Sequence, residues 1–387
     1  MARSAARGSL LRHLNEREVL AAIQAAGPLS RADITRRTGI SGPTVTRTVA
    51  ALLRARLLEE GDARPRTLGR PGRVLRLACK TAAVLGLVVG ARRCELVTAG
   101  LNGEIDPEHA ASFETPPGYA ELVRAVVRES RLLIDRIGLA VLGLGVSMPG
   151  LLNKREKRTL FSPNLHQTDG RRLGDDLHKN LRIETAILQE SHALCLAEQN
   201  YGAARGVADF AMLDISEGLG VGVVSGGRVL EGCSGLGGEL GHVTVDIHGK
   251  ACGCGNRGCL ETVASDTALA AAVSERVGRR IPIEEVVELL RSGQVWADDE
   301  LHRILEYLAV GMAAVVNLFN PSKLYLYGRL LDARDGLFDE LLQRTGRRAL
   351  APSMADCDII RARGSKRLGA VAAIIHRLTT GRDGALE

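Results

Sequence analysis

The chain has 387 residues, 45% hydrophobic and 25% charged, with a formal net charge of +6. That length and apolar content suffice for two or three globular units with their own cores and exclude a largely disordered chain. No run approaches the roughly 18 uninterrupted apolar residues of a membrane span and no apolar leader opens the chain, so a soluble, cytoplasmic protein without a membrane partner is expected.

The charge is segregated. Residues 1–77 hold 15 Arg, no Lys and 6 acidic residues, a balance of +9, whereas residues 78–387 balance to −3. A basic fifth on a nearly neutral body is the footprint of a nucleic-acid-binding module joined to a regulatory or catalytic domain. Within it three helices are expected. Val19, Leu20 and Ile23 give the first an apolar face, closed by Gly27-Pro28. Ser30 caps the second, with Asp33 in its first turn, Ile34 as apolar anchor and Gly39 at its end. The third starts at Ser41, tolerates Pro43 in its first turn, and repeats Val45, Val49 and Leu52 on its buried face. Thr44, Thr46 and Arg47 then project from its exposed half, as in the recognition helix of a helix-turn-helix module, where they read bases or hold phosphates.

Residues 59–77 read as a wing hairpin that ends in the alternating Val74, Leu75, Arg76, Leu77. Gly69-Arg70-Pro71-Gly72-Arg73 has the core of an AT-hook, which places Arg70 and Arg73 in a minor groove; a proline-stiffened linker is the equal alternative.

From Val84 the texture becomes α/β. VLGLVVG is a buried strand, Asn102-Gly103 a hairpin turn, and Tyr119 to Ile137 an amphipathic helix with Leu122, Val126, Leu133 and Ile137 inward. LAVLGLGVS is a second apolar strand, and AMLDISEGLGVGVVSGGRVL alternates strand, glycine turn and strand. Two such hairpin-plus-helix units imply a duplicated, two-lobed actin-like (ribonuclease H-like) α/β architecture with a ligand cleft between lobes. The expected boundaries are 1–77 for a winged helix-turn-helix domain, 78–190 for the first lobe, rejoined by a closing helix at 367–380, and 191–366 for the second lobe. GRDGALE after that helix reads as a frayed tail.

Between Gly235 and Glu261 lie His242, three Cys and two flanking Glu. His242, Cys252, Cys254 and Cys259 supply one imidazole and three thiols, a set suited to tetrahedral Zn²⁺. Four protein ligands leave no open position for water, so a structural zinc site that pins a glycine-rich loop is expected. Cys252 and Cys254 are too close for an unstrained bridge. The other five cysteines, Cys79, Cys94, Cys195, Cys233 and Cys357, show no ligand spacing and read as small buried hydrophobes.

The ordered set ISEGLGVGVVSGGRVLEGCSGLGGELGH, then CGCGNRGCLE, with SPNL at Ser162 to Leu165 upstream, resembles the ROK family of sugar kinases and transcriptional repressors. The resemblance covers essentially the whole chain, and the basic N-terminal module matches the winged helix of the repressor branch. It implies a sugar-kinase fold, hexose contacts at Asn164, Glu239, His242 and Glu261, and a general-base position at Gln189-Glu190. Carboxylates and amides bridging adjacent hydroxyls suit sugar binding, and His242 can ligate zinc through one ring nitrogen while the other donates to a sugar hydroxyl.

The departures separate kinase from repressor. Where family kinases have Asp-x-Gly-Gly-Thr, this chain has Val88-Val89-Gly90-Ala91-Arg92. The second phosphate loop becomes Glu217-Gly218, with an anion where phosphates would sit, and the adenosine-side Gly-Gly becomes Gly328-Arg329. Gln189-Glu190 replaces Asn-Asp, so the base survives on a longer stem. His192, in the same helix, adds a contact or simply packs. The expectation is therefore a sugar-sensing, DNA-binding regulator without enzymatic activity, a homodimer or tetramer on a palindromic double-stranded operator. The alternatives are an active kinase with an appended DNA-binding domain and a ligand-independent regulator. Trp296 reads as a helix-edge packing residue, and the Arg361, Arg363, Lys366 and Arg367 cluster as a solvated loop.

Overall fold

The structure, a computed structural model, describes residues 2–63 and 73–380. The N-terminal unit consists of α1 (Ala2–Ala26), α2 (Arg31–Thr38), α3 (Gly42–Arg54) and a hairpin of β1 (Leu58–Ala63) and β2 (Arg73–Leu77). Ser30 and Asp33 form a reciprocal capping box on α2, and Gly39 ends it at φ +70. Ser41 occupies the N-cap position of α3 but makes no side-chain cap; its hydroxyl donates to the Thr44 hydroxyl at 2.9 Å. Val19, Leu20, Ile23, Ile34, Val45, Val49 and Leu52 are buried, as their spacing requires. Of the AT-hook segment, residues 69–72, Arg70 included, lie outside the described residues, and Arg73 opens β2.

The first lobe contains β3 (Ala82–Val89), β4 (Arg93–Ala99), β5 (Ile105–Glu114), α4 (Tyr119–Ile137), β6 (Ala140–Met148), a hairpin of β7 (Leu151–Asn153) and β8 (Arg158–Phe161), α5 (Leu173–Leu181) and β9 (Glu184–Gln189). Its sheet runs β5-β4-β3-β6-β9, antiparallel through the first three strands and parallel through the last three. β3 is buried at all eight residues, which a strand covered on both faces demands.

The chain then continues through α6 (Glu190–Tyr201), β10 (Phe210–Asp214), β11 (Gly220–Ser225), β12 (Arg228–Val229), α7 (Asp266–Val277), α8 (Ile283–Arg291), α9 (Asp298–Phe319), β13 (Lys323–Tyr327), α10 (Leu337–Gly346), α11 (Ala351–Ala355), β14 (Asp358–Arg361) and α12 (Lys366–Thr380). The second sheet, β12-β11-β10-β13-β14, repeats the topology of the first: a three-stranded antiparallel meander extended by two parallel strands. α12 returns to the first lobe and packs on β3, β6, β9 and α6.

One apolar cluster runs from Val19, Leu20 and Leu75 through Ala78 and Val84 to Val371 and Ile374 of α12. The winged helix therefore shares its core with the first lobe. The junction is fixed by the buried Glu59, which accepts from the N–H groups of Cys79, Lys80 and Thr81 at 3.0–3.2 Å and from Arg76 Nε at 2.8 Å. Burial alone would raise its pKa, but the Lys80 N–H, the Arg76 guanidinium and the other donors outweigh this and hold it down at about 2.

α9 is long and apolar enough to cross a membrane by length and composition, yet 56% of that window is buried, with Leu301, Ile304, Leu305, Leu308 and Met312 in the second-lobe core. Several sequence expectations need correction. Cys233 is exposed and Cys79 half-buried, because the first sits in the open loop after β12 and the second at the junction around Glu59. Trp296 is 72% exposed in the connection before α9 rather than packed. The basic cluster near residue 365 is not a solvated loop: Arg361 pairs with Asp332, Arg367 with Glu95, and Lys366 opens α12 with a side chain only 12% exposed.

Candidate functional site

The segment after β12 folds back on the second sheet through two close approaches. Gly238 has φ +96, and a Cβ there would stand 2.1 Å from the Val221 carbonyl oxygen; at Gly241 it would stand 2.0 Å from that of Leu219. Only glycine fits either place, so Glu239 and His242 are pinned over β11. Beyond them the chain forms a small knuckle, with Cys252 N–H donating to Asn256 O and Gly258 N–H to Lys250 O, both at 2.8 Å.

That knuckle brings His242, Cys252, Cys254 and Cys259 together, with ligand atoms all within 4.8 Å of one another. Cys254 Sγ lies 3.7 Å from Cys259 Sγ, and His242 Nδ1 lies 3.6 Å from Cys252 Sγ. A tetrahedral centre with metal–sulfur bonds of about 2.3 Å and metal–nitrogen bonds of about 2.0 Å separates sulfurs by about 3.75 Å and sulfur from nitrogen by about 3.5 Å. The cluster has the size and donor chemistry of a four-coordinate metal site.

His242 also stands between two carboxylates. Its Nε2 lies 3.7 Å from Glu239 Oε2, while its Nδ1 lies 3.5 Å from Glu261 Oε1. Gln189, at the end of β9 in the first lobe, donates from Nε2 to Glu239 Oε1 at 2.6 Å, and its buried Oε1 has no partner among the described residues. Burial raises the Glu239 carboxyl, opposed by the Gln189 donor. A Cβ on Gly218 would stand 3.2 Å from Glu261 Oε2 and 4.0 Å from Asn164 Nδ2, so Asn164 and Glu261 share this wall. Five of the expected contacts, Asn164, Gln189, Glu239, His242 and Glu261, thus line one edge. His192 does not join them; it is buried, its Nε2 has no partner among the described residues, and burial pushes its imidazole down to about 4.

Glu190 turns elsewhere. Lys366 Nζ lies 2.6 Å from its carboxylate and 3.3 Å from Asp214 Oδ2. Burial pushes Glu190 up to about 7 against the pull of Lys366. Burial alone would lower Lys366, but Asp214 and Glu190 outweigh it and hold the ammonium charged. This ion triad joins α6, β10 and α12, and Lys366 was missed because nothing local to its sequence marks it as buried.

Backbone N–H groups in the loops after β3 and β13 donate to the chain's own carboxylates. Ala91 N–H donates to Glu217 Oε2 at 3.2 Å, across the cleft. At the third loop, Asp266 accepts from the N–H groups of Arg329 and Leu330 at 2.7–3.1 Å. Asp266 carried no motif signal, and only its burial beside Gly328 identifies it.

On the winged helix, Ser41, Pro43, Thr46 and Arg47 are exposed and Thr44 is half-buried. The Thr46 hydroxyl donates back to Gly42 O at 3.0 Å, and Arg47 has no ion-pair partner among the described residues. Arg73 is exposed at the start of β2, with its guanidinium 2.5 Å from Glu60.

The ROK family profile matches residues 84–377, and the profile of the MarR family matches residues 13–66. The xylose repressor of Bacillus spizizenii is 26% identical over 327 residues, 84% of each chain. Among solved structures, a ROK family transcriptional regulator described as a homologue of the E. coli MLC protein superposes with a TM-score of 0.81 at 26% identity, covering 96% of this chain and 97% of that one. A ROK hexokinase from Thermus thermophilus gives a TM-score of 0.61 at 28% identity and covers 77% of this chain and 99% of that one. The chain belongs to the ROK family, in the form that carries an N-terminal winged helix.

Proposed function

We propose that this protein is a transcriptional repressor of carbohydrate-related genes that senses a sugar or sugar derivative in a cleft stripped of kinase function. The observation that carries this is the cleft's asymmetry: its sugar edge keeps Asn164, Glu239, His242 and Glu261, while its phosphate edge is closed by Glu217 on Ala91. Gln189 adds a hydrogen-bonding amide to the sugar edge. Glu190, held by Lys366, is a charge partner rather than a general base.

His242, Cys252, Cys254 and Cys259 would hold a zinc ion in a closed site without catalytic chemistry, where it would neutralise thiolates and fix the histidine tautomer. With Nδ1 committed to that cluster, His242 Nε2–H is left to donate into the pocket. A sugar bridging Gln189 and Glu239 ties β9 of the first lobe to the second. β9 leads directly into α6, α6 packs on α12, and α12 shares the core of the winged helix. Sugar binding shifts DNA affinity to the extent that it favours one arrangement of this chain of contacts.

Domain boundaries fall at 77/78 and 190/191, with α12 counted in the first lobe. The working unit is a cytoplasmic homodimer or tetramer on a palindromic operator, whose bases and phosphates meet Ser41, Pro43, Thr44, Thr46 and Arg47, with Arg70 and Arg73 in the flanking groove. Fluorescence anisotropy with the protein's own promoter DNA against random DNA, across a salt series, tests this. A clear preference is expected, weakened roughly 10- to 100-fold by Arg47→Ala. Equal affinity for both DNAs contradicts it.

A further inference from the structure

Outside the cleft, the first lobe has a cavity of about 190 Å³ between the β7–β8 hairpin, the start of α5, β9 and the end of α12. None of its lining residues belongs to the sugar wall, the metal cluster or the ion triad. Three features converge on it.

The first is an uncapped helix end. The first intrahelical bond of α5 runs from Asp176 N–H to Arg172 O at 3.1 Å, so the N–H groups of Leu173, Gly174 and Asp175 have no acceptor within the helix. The N-cap residue is Arg172, whose side chain has no acceptor to offer, and no side chain caps the helix. Leu173, Gly174 and Asp175 all line the cavity.

The second is an orphaned donor. Thr159, also in the lining, is 1% exposed, and its hydroxyl has no hydrogen-bond partner among the described residues. A buried hydroxyl is paired in native structures as a rule.

The third is charge. Of the lining cations, Lys154 is held by Glu231, Arg158 by Glu156 and Arg377 by Glu184. Lys157 and Arg171 have no carboxylate partner among the described residues; the Arg171 guanidinium lies 5.2 Å from the centroid of the Tyr119 ring. Asp175 is the one lining carboxylate without a cationic partner among the described residues. Two free cations, a free hydroxyl and an uncapped helix N-terminus outweigh it, and helix N-termini bind oxyanions through their unpaired N–H groups.

We propose that this cavity binds a small oxyanion of the phosphate class, free or carried as the phosphoryl group of a small metabolite. The anion accepts from the α5 N–H groups and the Thr159 hydroxyl, and Lys157 and Arg171 neutralise it. Because Lys154 in the same wall reaches Glu231 in the second lobe, an occupied cavity also competes for an ion pair that spans the two lobes.

Calorimetry on the full chain at low salt tests this with two probes, inorganic phosphate and glycerol 3-phosphate. Saturable binding of at least one is expected, weakened about tenfold or more in a Lys157→Asn/Arg171→Gln double variant. Asparagine is chosen at 157 because that residue has φ +52, which Asn tolerates. Thr159→Val should weaken binding severalfold, and melting of the double variant should match wild type. Binding of both probes with similar affinity identifies free phosphate as sufficient; binding of glycerol 3-phosphate alone identifies a phosphorylated metabolite. No binding of either probe up to about 10 mM, or unchanged affinity in the folded double variant, overturns the proposal.

Discussion

The two edges of the cleft differ in where their polar groups find partners. Along the sugar edge Gln189, Glu239, His242 and Glu261 lie close together with atoms to spare, including Gln189 Oε1, which has no partner among the described residues. Along the phosphate edge the backbone donors are already satisfied, Ala91 by Glu217 and Arg329 and Leu330 by Asp266, while Lys366 neutralises Glu190 and Asp214. One edge thus pairs its polar groups within the chain, while the other leaves hydrogen-bonding atoms unused among the described residues.

The largest expected break in this contrast is Lys366→Met. It leaves two carboxylates facing a buried space without a counter-ion, so denaturation at pH 8 should show a loss of about 3–5 kcal/mol. The loss should shrink as pH falls and Glu190 takes a proton. A loss below about 1 kcal/mol would mean the triad is solvated and the phosphate edge open.

The junction at Glu59 tests whether the cleft can speak to the winged helix at all. Its pKa is lower in the folded state, about 2 against 4.5, so its stabilising contribution is present above pH 4.5 and lost as pH falls from there to about 2. Glu59→Gln should therefore cost ~3 kcal/mol at pH 7 and little near pH 2, read by denaturant titration at both values.

Cys254→Ser probes the sugar edge. Zinc affinity should fall by roughly a hundredfold, measured by chelator competition, with loss of the sugar response rather than of the fold. Should zinc fall while the sugar response stays intact, the knuckle is a local staple only.

Glu217→Ala carries the smallest effect. The residue is exposed, so stability should change by less than about 1 kcal/mol. MgATP binding should stay absent, because Arg92 and the Asp266 cap remain. Nucleotide binding by this variant would show that a single carboxylate holds the phosphate edge shut.

Features encoded locally were legible in the sequence. Ser30, Asp33 and Gly39 mark both ends of α2, and the spacing of Leu122, Val126 and Leu133 defines α4. His242, Cys252, Cys254 and Cys259 fall within 18 residues and meet as their chemistry requires. What stayed hidden was made by tertiary contact. Lys366 meets Glu190 across 176 positions, and Ala91 meets Glu217 across 126. Lys366 looked like part of a solvated basic run because Arg361, Arg363 and Arg367 lie beside it in the sequence; the return of α12 leaves its side chain only 12% exposed. Glu190 and Gln189 are adjacent in sequence yet serve opposite edges, because the strand-to-helix turn between β9 and α6 sends their side chains apart.

The most direct test of the central claim is a pair of calorimetric titrations on the same zinc-loaded full chain, one with a panel of mono- and amino-sugars and one with MgATP. The account predicts saturable binding of at least one sugar, lost in Glu239→Gln or Glu261→Gln, and no heat from MgATP with or without that sugar. Binding of MgATP with turnover to a sugar phosphate, abolished by Glu190→Ala, would contradict it.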